Sequence, residues 1–370
     1  MTIGGATYDV FIQPTQPIPD EFYHEGAKLE VDTLRTAVGG GATNSAVSFK
    51  RLCFEVASYF SYGNDEAGKF IVDFLKQEGI DITHAYAHTE GSTGISHIIP
   101  LDSGDRTIFA FRGANFFLKL EKLFDANLAS YDAFYITSLS GQAAEFLPHF
   151  CAQLRKNRTL IANNPGASQL RYGASALRQA LSYIDILILN KHEAQQFMAS
   201  MIKNEEIIPP WPSTINQQLI NNKKLPSLLK TVEIYKNYPF NLPYFFSHLF
   251  TCGPRIIVVT NGAEGVYVAT PSMIYFHPSI SNPVINTLGA GDAFGSAFVG
   301  SLLRGASIED ATLYASINSA SVIKFLDAKT GLLTLQDLER TAARYQKSLL
   351  QWYTYESLGP PTSPLTCLQG

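Results

Sequence analysis

Between Val284 and Gly295 the chain reads Val-Ile-Asn-Thr-Leu-Gly-Ala-Gly-Asp-Ala-Phe-Gly. An apolar pair runs into a glycine-rich turn, and small residues suited to a helix begin inside that turn. Such a run sets the backbone N–H groups of Gly289, Ala290 and Gly291 at a helix N-terminus, where unpaired donors and the macrodipole favour negative charge. Phosphoryl transfer needs a cradle of this kind, because its transition state spreads charge over the equatorial oxygens. Asp292 falls in the first turn of the same helix, placed to take the proton of an attacking hydroxyl. By itself Gly-Ala-Gly-Asp is more often an ordinary turn with an acidic helix start. The chemical reading depends on the segments that accompany it.

Three such segments precede it: Val38-Gly39-Gly40-Gly41-Ala42-Thr43-Asn44-Ser45-Ala46, Gly63-Asn64-Asp65-Glu66-Ala67-Gly68, and Asn190-Lys191-His192-Glu193. Together with Thr287–Asp292 they resemble, in order and spacing, the signatures of the ribokinase-like (PfkB) carbohydrate kinase family. The resemblance covers nearly the whole chain except Met198–Gly253. It implies an ATP-dependent kinase that transfers the γ-phosphoryl group to a hydroxymethyl group of a small sugar, with Asp292 as base and Gly289–Gly291 as anion hole. It also implies that Asn190 and Glu193 organise Mg2+, Glu193 through water, around the nucleotide phosphates. Thr260 and Gly262, in Thr260-Asn261-Gly262, resemble a turn that contacts ATP, and Asn318 falls near the adenine. Asp9, Gly39, Gly40 and Asn44 take the positions that hold substrate hydroxyls, sensible polyol chemistry for a carboxylate beside an amide.

The chain departs from the family pattern in three places. Asn286 stands where an Asp is common, which argues against a monovalent-cation site. The segment 136–140 lacks a Glu carried by some sugar kinases, and Asp327 replaces a usual Gly near the nucleotide end. The alternative enzyme reading is an adenosine-type nucleoside kinase, towards which the missing Glu points. A third reading, from a different class, is a catalytically inactive sugar-binding regulator, against which the retained Asp292, Asn190 and Glu193 speak.

Other constellations read as structure. Gly63–Phe70 nearly spells a P-loop, but Phe70 stands where Ser or Thr must meet magnesium, and two acids in the loop repel phosphate. His84 and His88 lack further ligands and read as surface residues. The aromatics of Tyr235–Phe250 read as packing or an interface.

The elements that must position these residues alternate short apolar runs with helical patterns, which points to an α/β class. The resemblance implies a three-layer α/β/α core with a mostly parallel sheet. Expected strands are Ala57–Ser61, Ala133–Thr137, Leu160–Asn163, Ile184–Leu189, Ile256–Thr260 and Val266–Ala269. Expected helices include Asn44–Leu52, Glu66–Gln77, Ala290–Arg304, Ser307–Phe325 and Leu335–Gln351. Thr93–Phe111 reads as a hairpin turning at Asp102-Ser103-Gly104-Asp105. With the extended stretch from Ile12 to Thr36 it forms a small β-sheet resembling the family's lid. The expected division is a core of 1–11, 38–91 and 117–370, interrupted by an insertion at 198–253, and a lid of 12–37 and 92–116. Exposed lid edges give a motive for homodimer pairing through the lid.

Composition bounds the partners. With 370 residues, 46% hydrophobic and 16% charged, the chain can bury a sizeable core. A formal net charge of -4 without a basic stripe excludes nucleic acid as the natural partner. No apolar run is long enough for a bilayer and no secretion signal is read, so no membrane partner is expected. Four scattered cysteines read as free thiols in a reducing, cytoplasmic setting.

Overall fold

In a computed structural model, the structure describes residues 1–14, 30–89, 91–100, 106–204, 207, 225–345 and 349–358. The expected turn at 102–105, most of the loop between Ile12 and Thr36, and Cys367 lie outside the described residues. The chain forms two compact units, Met1–Phe146 with Ile280–Gln346, and Leu147–Ser279 with Lys347–Gly370.

In the first unit the strand Thr2–Ile3 pairs in parallel with Ser58–Tyr59 on one side and Ala133–Ile136 on the other. Helices Gly41–Arg51, Glu66–Gln77, Ala290–Leu303, Ile308–Val322 and Leu335–Ala342 belong to this unit. Each of three helix starts is fixed by a side-chain cap: Asp65 accepts from Gly68 N, Ser307 from Asp310 N, and Thr334 from Asp337 N. A cap of this type contributes about 1 kcal/mol. The Ala290–Leu303 helix is buried from Ala293 to Ser301 and packs on Gly41–Arg51 and Ile308–Val322. Its small residues permit that approach: a Cβ on Gly300 would lie 3.1 Å from Leu52 Cδ1.

Beside these elements stands a four-stranded sheet, ordered Val31–Gly39, Thr7–Pro14, Gly94–Pro100, Arg106–Phe111. Its outer pairings are antiparallel and its central pairing is parallel. The expected hairpin is therefore present as the Gly94–Pro100 and Arg106–Phe111 strands. The partner strands Thr7–Pro14 and Val31–Gly39 reach beyond both ends of the extended stretch read from sequence, and Asp9 sits within the sheet, opposite Ala37 and Ser96. Leu34, Phe109 and Phe111 are exposed on this sheet.

The second unit carries the parallel strands Leu160–Asn163, Ile186–Asn190 and Ile256–Thr260. Antiparallel strands Val266–Ala269, Met273–His277 and Gln351–Thr354 extend them. Ile186–Leu189 is buried throughout, as an apolar run covered on both faces must be. Asp185 anchors the start of that strand: its carboxylate accepts from Arg155 Nη2 and Nη1 at 2.9 and 3.0 Å and from the Ile161 amide at 2.9 Å. Within Met198–Gly253 lie the end of the Lys191–Lys203 helix, a Glu233–Tyr235/Tyr238–Phe240 hairpin and the Leu242–Cys252 helix. Lys236 and Asn237 take positive φ at the hairpin turn (47° and 70°), the geometry a two-residue connection favours. Phe240, Phe245 and Phe246 are fully buried, so the aromatic cluster is core.

One expected element is corrected. The helix predicted over Leu335–Gln351 ends at Ala342, and Gln351–Thr354 is a strand paired with Met273–His277. The helical spacing read through Tyr345 and Leu349 does not reach Gln351, because residues 351–354 pair at the sheet edge, a long-range contact that local periodicity cannot register. Among the described residues no helix is long and apolar enough to cross a membrane. Cys53, Cys151 and Cys252 are free thiols, and His88 stacks on Phe117 at 4.9 Å.

Candidate active site

The glycine-rich run forms the turn its sequence suggests. Gly289 caps the Ala290–Leu303 helix in the left-handed region, φ 77°, and a Cβ there would meet Ala328 Cβ at 2.3 Å. Only glycine fits both demands. Ala293 N makes the first intrahelical bond, to Gly289 O at 2.8 Å, so the amides of Ala290, Gly291 and Asp292 precede the ladder. The expectation that three successive amides stand free needs one correction: Ala290 N donates to Thr287 O at 3.3 Å and closes the turn. A Cβ on Gly291 would meet nothing within 4 Å, so packing does not require glycine at that position.

Asp292 projects from the helix's first turn into a cluster of polar groups drawn from distant parts of the first unit. Asn44 Nδ2 donates to its Oδ2 at 2.8 Å. Asn44 lies in the Gly41–Arg51 helix, and its Oδ1 accepts a hydrogen bond from Lys329 Nζ. The same ammonium donates to Val38 O at 2.5 Å and Thr43 Oγ1 at 3.1 Å, and it is buried. Lys329 is held there by its own turn. Asp327 accepts from the amides of Lys329 and Thr330, both at 2.8 Å, and Arg51 Nη1 donates to the Lys329 and Leu332 carbonyls at 2.7 and 2.8 Å.

Burial dominates the electrostatics of this cluster. It pushes the Asp292 carboxyl above the ordinary carboxylate range, while the Asn44 hydrogen bond and the Lys329 charge pull the other way and nearby Asp9 adds to the rise. Asp9 is raised for the same first reason, countered by hydrogen bonding from Thr7 and the Lys329 charge. Burial brings Lys329 down to about 8, despite the opposing pull of Asp9, Asp292, Asp327 and Glu78. Three ionisable groups with displaced titrations in one cluster mark a functional site more often than a merely structural one.

Asp9 is buried and accepts from Thr7 Oγ1 at 2.8 Å. Gly39 lies against it: a Cβ there would sit 1.9 Å from Asp9 Oδ2, so the carboxylate rests on bare backbone. Gly40, φ 96°, turns the chain into the Gly41–Arg51 helix. Asp9, Gly39, Gly40, Asn44 and Asp292 are thus gathered in one region, linked through Lys329. Two further residues reach the glycine-rich turn. Arg106, at the start of the Arg106–Phe111 strand, donates to Thr287 Oγ1. Asn286 donates from Nδ2 to Leu326 O at 2.8 Å and accepts Leu288 N at 3.0 Å, using a donor that an aspartate would lack. Lys329 and Arg106 were not singled out from sequence. A lone Lys in a connecting stretch, or an Arg at a strand start, reads as a solvated charge, and no local signal marks its burial or reach.

Asn318 is not brought to a surface. It is fully buried in the Ile308–Val322 helix, donates to Ala293 O at 3.0 Å and accepts Leu333 N at 2.9 Å. Its amide ties three segments of the first unit together, which leaves the expected adenine contact without support. Asp65, in the P-loop-like segment, accepts from Gly68 N in its own loop and from Thr93 N and Thr93 Oγ1, at 2.5–2.8 Å, so its carboxylate caps the Glu66–Gln77 helix and ties the loop to Thr93.

In the second unit, Asn190 ends a parallel strand and caps the Lys191–Lys203 helix. Asn190 Oδ1 accepts Glu193 N, and Glu193 Oε2 accepts Asn190 N, each at 2.9 Å. The Asn-x-x-Glu motif is therefore a capping box, a local role in addition to the one the resemblance implies. Asn190 and Thr260 are register partners at the carboxyl ends of adjacent parallel strands, the edge where open α/β sheets bind ligands. A shallow cavity of about 300 Å³ opens there, lined by Asn190, Lys191, His192, Gln195, Thr260, Asn261 and Gly262. Asn190 and Glu193 offer oxygen donors with a single carboxylate, which suits a magnesium that keeps most of its waters. Among the described residues no three His, Cys, Asp or Glu converge as a metal cage.

The family model described as pfkB family carbohydrate kinase matches residues 3–220 and 246–333. A ribokinase of Haemophilus influenzae is 25% identical over 322 residues, covering 85% of this chain and 90% of that protein. The solved structure of an Arabidopsis thaliana ribokinase complexed with ribose and ATP superposes with a TM-score of 0.70 at 16% identity, covering 93% of this chain and 98% of that one. A Methanocaldococcus jannaschii nucleoside kinase superposes with a TM-score of 0.66 at 19% identity, again covering 93% and 98%. These superpositions agree with the fold expected from sequence, and the family match agrees with the four motif segments. The chain belongs to the pfkB family of carbohydrate kinases and is an ATP-dependent phosphotransferase.

Proposed function

We propose that this chain phosphorylates a hydroxymethyl group of a small sugar, with Asp292 as general base and the Gly289–Gly291 turn as the cradle for the transferred phosphoryl group. The observation that carries the reading is the Asn44–Asp292–Lys329 cluster, which fixes a carboxylate at the N-terminus of the Ala290–Leu303 helix. Asp292 accepts the hydroxyl proton as the oxygen attacks the γ-phosphorus of ATP, whose bond to the bridging oxygen breaks so that ADP leaves. The Gly291 and Asp292 amides and the helix dipole offset negative charge on the phosphoryl oxygens. Asp9, buried on bare backbone at Gly39, accepts hydrogen bonds from substrate hydroxyls, and the second Asn44 N–H reaches a substrate oxygen. Arg106 tethers the four-stranded sheet to the turn at Thr287, in keeping with a sheet that covers the acceptor and excludes water.

Asn190 and Glu193 would hold magnesium through water, and Thr260 and Gly262 would meet the nucleotide. Magnesium, when bound, neutralises charge on the nucleotide phosphates. Asn318 is left out of the nucleotide contacts and retained as a structural residue. Exposed Leu34, Phe109 and Phe111 favour a homodimer formed on the four-stranded sheet.

The experiment is ATP consumption by purified protein with magnesium against pentoses, hexoses and nucleosides, with Asp292→Asn in parallel. Turnover confined to a sugar and lost in the variant is the expected result. Turnover confined to nucleosides replaces the acceptor and keeps the base. Ligand binding without turnover in either protein overturns the reading in favour of a sugar-binding regulator.

A further inference from the structure

The Lys329 ammonium makes three hydrogen bonds, to Val38 O, Thr43 Oγ1 and Asn44 Oδ1, which is all an ammonium can donate. None is left for a substrate. Yet this buried cation sits between the two carboxylates assigned to chemistry, and one of its acceptors is the amide that touches Asp292. An asparagine amide can sit either way round. With its oxygen held by an ammonium, only its nitrogen can face the neighbouring carboxylate, and that is the arrangement found.

We propose that Lys329 is a positioning residue for the reaction: it locks the Asn44 amide with oxygen towards the ammonium and nitrogen towards Asp292, and so keeps the base aimed and ionised for the incoming hydroxyl. The inference rests on the assignment of Asp292 as base. Without the ammonium the amide is free to turn its oxygen on the carboxylate, which repels and releases it.

Lys329 is faced by Asp9, Asp292, Asp327 and Glu78, with the Phe74 ring 5.9 Å from its nitrogen. Asp292 is faced by Asn44, Lys329 and Asp9, and its charge reaches the buried Tyr135 phenol. Lys329 is thus a buried cation whose charge acts on both Asp9 and Asp292.

The test measures kcat/KM against pH for the wild type, Asp292→Asn, Lys329→Met and the closely sized Lys329→Gln. Loss of the cation should move the acid limb up by about one pH unit and lower kcat at least tenfold, with KM for ATP changed less than threefold. In a double-mutant cycle with Asn44→Ser, the second substitution should cost far less than the first, because both remove one device. If Asp292→Asn keeps full activity, the base assignment falls and this inference with it. If Asp292→Asn is inactive but both Lys329 variants keep the wild-type acid limb, only the positioning role is overturned, and a lowered melting temperature would then mark Lys329 as structural. Should neither Lys329 variant fold, Asn44→Ser alone decides: an unmoved acid limb overturns the proposal.

Discussion

The Asn44 amide nitrogen lies 2.8 Å from the Asp292 carboxylate, although 248 residues separate them along the chain. One belongs to the helix after the Gly39-Gly40 turn and the other to the helix after the Gly289–Gly291 turn, so two glycine-led helix starts face each other. Helix starts are the natural place to meet when both must present backbone or carboxylate to an anion and its acceptor.

Removing the base should abolish turnover without unfolding the protein. Asp292→Asn keeps the volume and a hydrogen-bonding oxygen, and should lower kcat by about 100- to 10,000-fold, the span a general base supplies. Thermal melting beside the kinetic assay checks it. A variant with full activity and an unchanged melting curve would remove Asp292 from the chemistry.

Activity should rise and fall with pH in a bell. Asp292 has its pKa raised by burial, so it recovers a proton, and stops acting as a base, at a pH above the ordinary carboxylate range. Lys329 is lowered to about 8, so its ammonium is lost as pH rises through that value. The acid limb of kcat/KM therefore lies above that of a free carboxylate, and an alkaline limb falls near 8. A profile flat through pH 8 to 9 would contradict the second assignment.

The two glycines of the turn should respond in opposite ways. Gly291→Ala enters open space on a helix and should raise stability by up to about 1 kcal/mol while lowering kcat, since the new methyl stands beside the cradle. Gly289→Ala forces a left-handed alanine, costing about 1–2 kcal/mol, and drives its Cβ onto Ala328. Urea unfolding and kcat for both variants decide. Equal losses of stability would show that the turn is only structural.

Glu193→Gln should weaken the magnesium response more than the fold. The Gln oxygen still accepts the Asn190 N–H, so the capping box keeps its bond and loses only charge assistance, at most about 1 kcal/mol, while the apparent magnesium requirement rises about 10- to 100-fold. Initial rates titrated with magnesium at saturating ATP measure this. An unchanged requirement would leave Glu193 as a helix cap alone.

If the exposed face of the four-stranded sheet pairs two copies, light scattering at micromolar concentration should give twice the chain mass. Phe109→Lys together with Phe111→Lys should then give monomers with an unchanged melting profile in the far ultraviolet. Monomeric wild type would remove the dimer from the proposal.

Much of this was legible in sequence because it is local. The turn at Gly289–Asp292, the Leu160–Asn163, Ile256–Thr260 and Val266–Ala269 strands and the Glu66–Gln77 helix follow from glycine placement, apolar runs and an Asp65 cap. These depend on neighbours a few residues away, and backbone geometry alone relates them. The division of labour between Asn44 and Asn318 was not legible. Both are asparagines in helices, and only the fold spends one amide on Asp292 and the other on Ala293 and Leu333.

The chain by itself determined its α/β class, the glycine-rich turn and the acid that follows it, since period, propensity and steric demand act within one element. Only tertiary structure decided that Lys329 is buried with its charge between Asp9 and Asp292, and that Gln351–Thr354 is a strand and not the end of a helix. Burial of a charge and pairing of a strand depend on partners hundreds or tens of residues away. Those partners become neighbours only when the core closes and water is excluded.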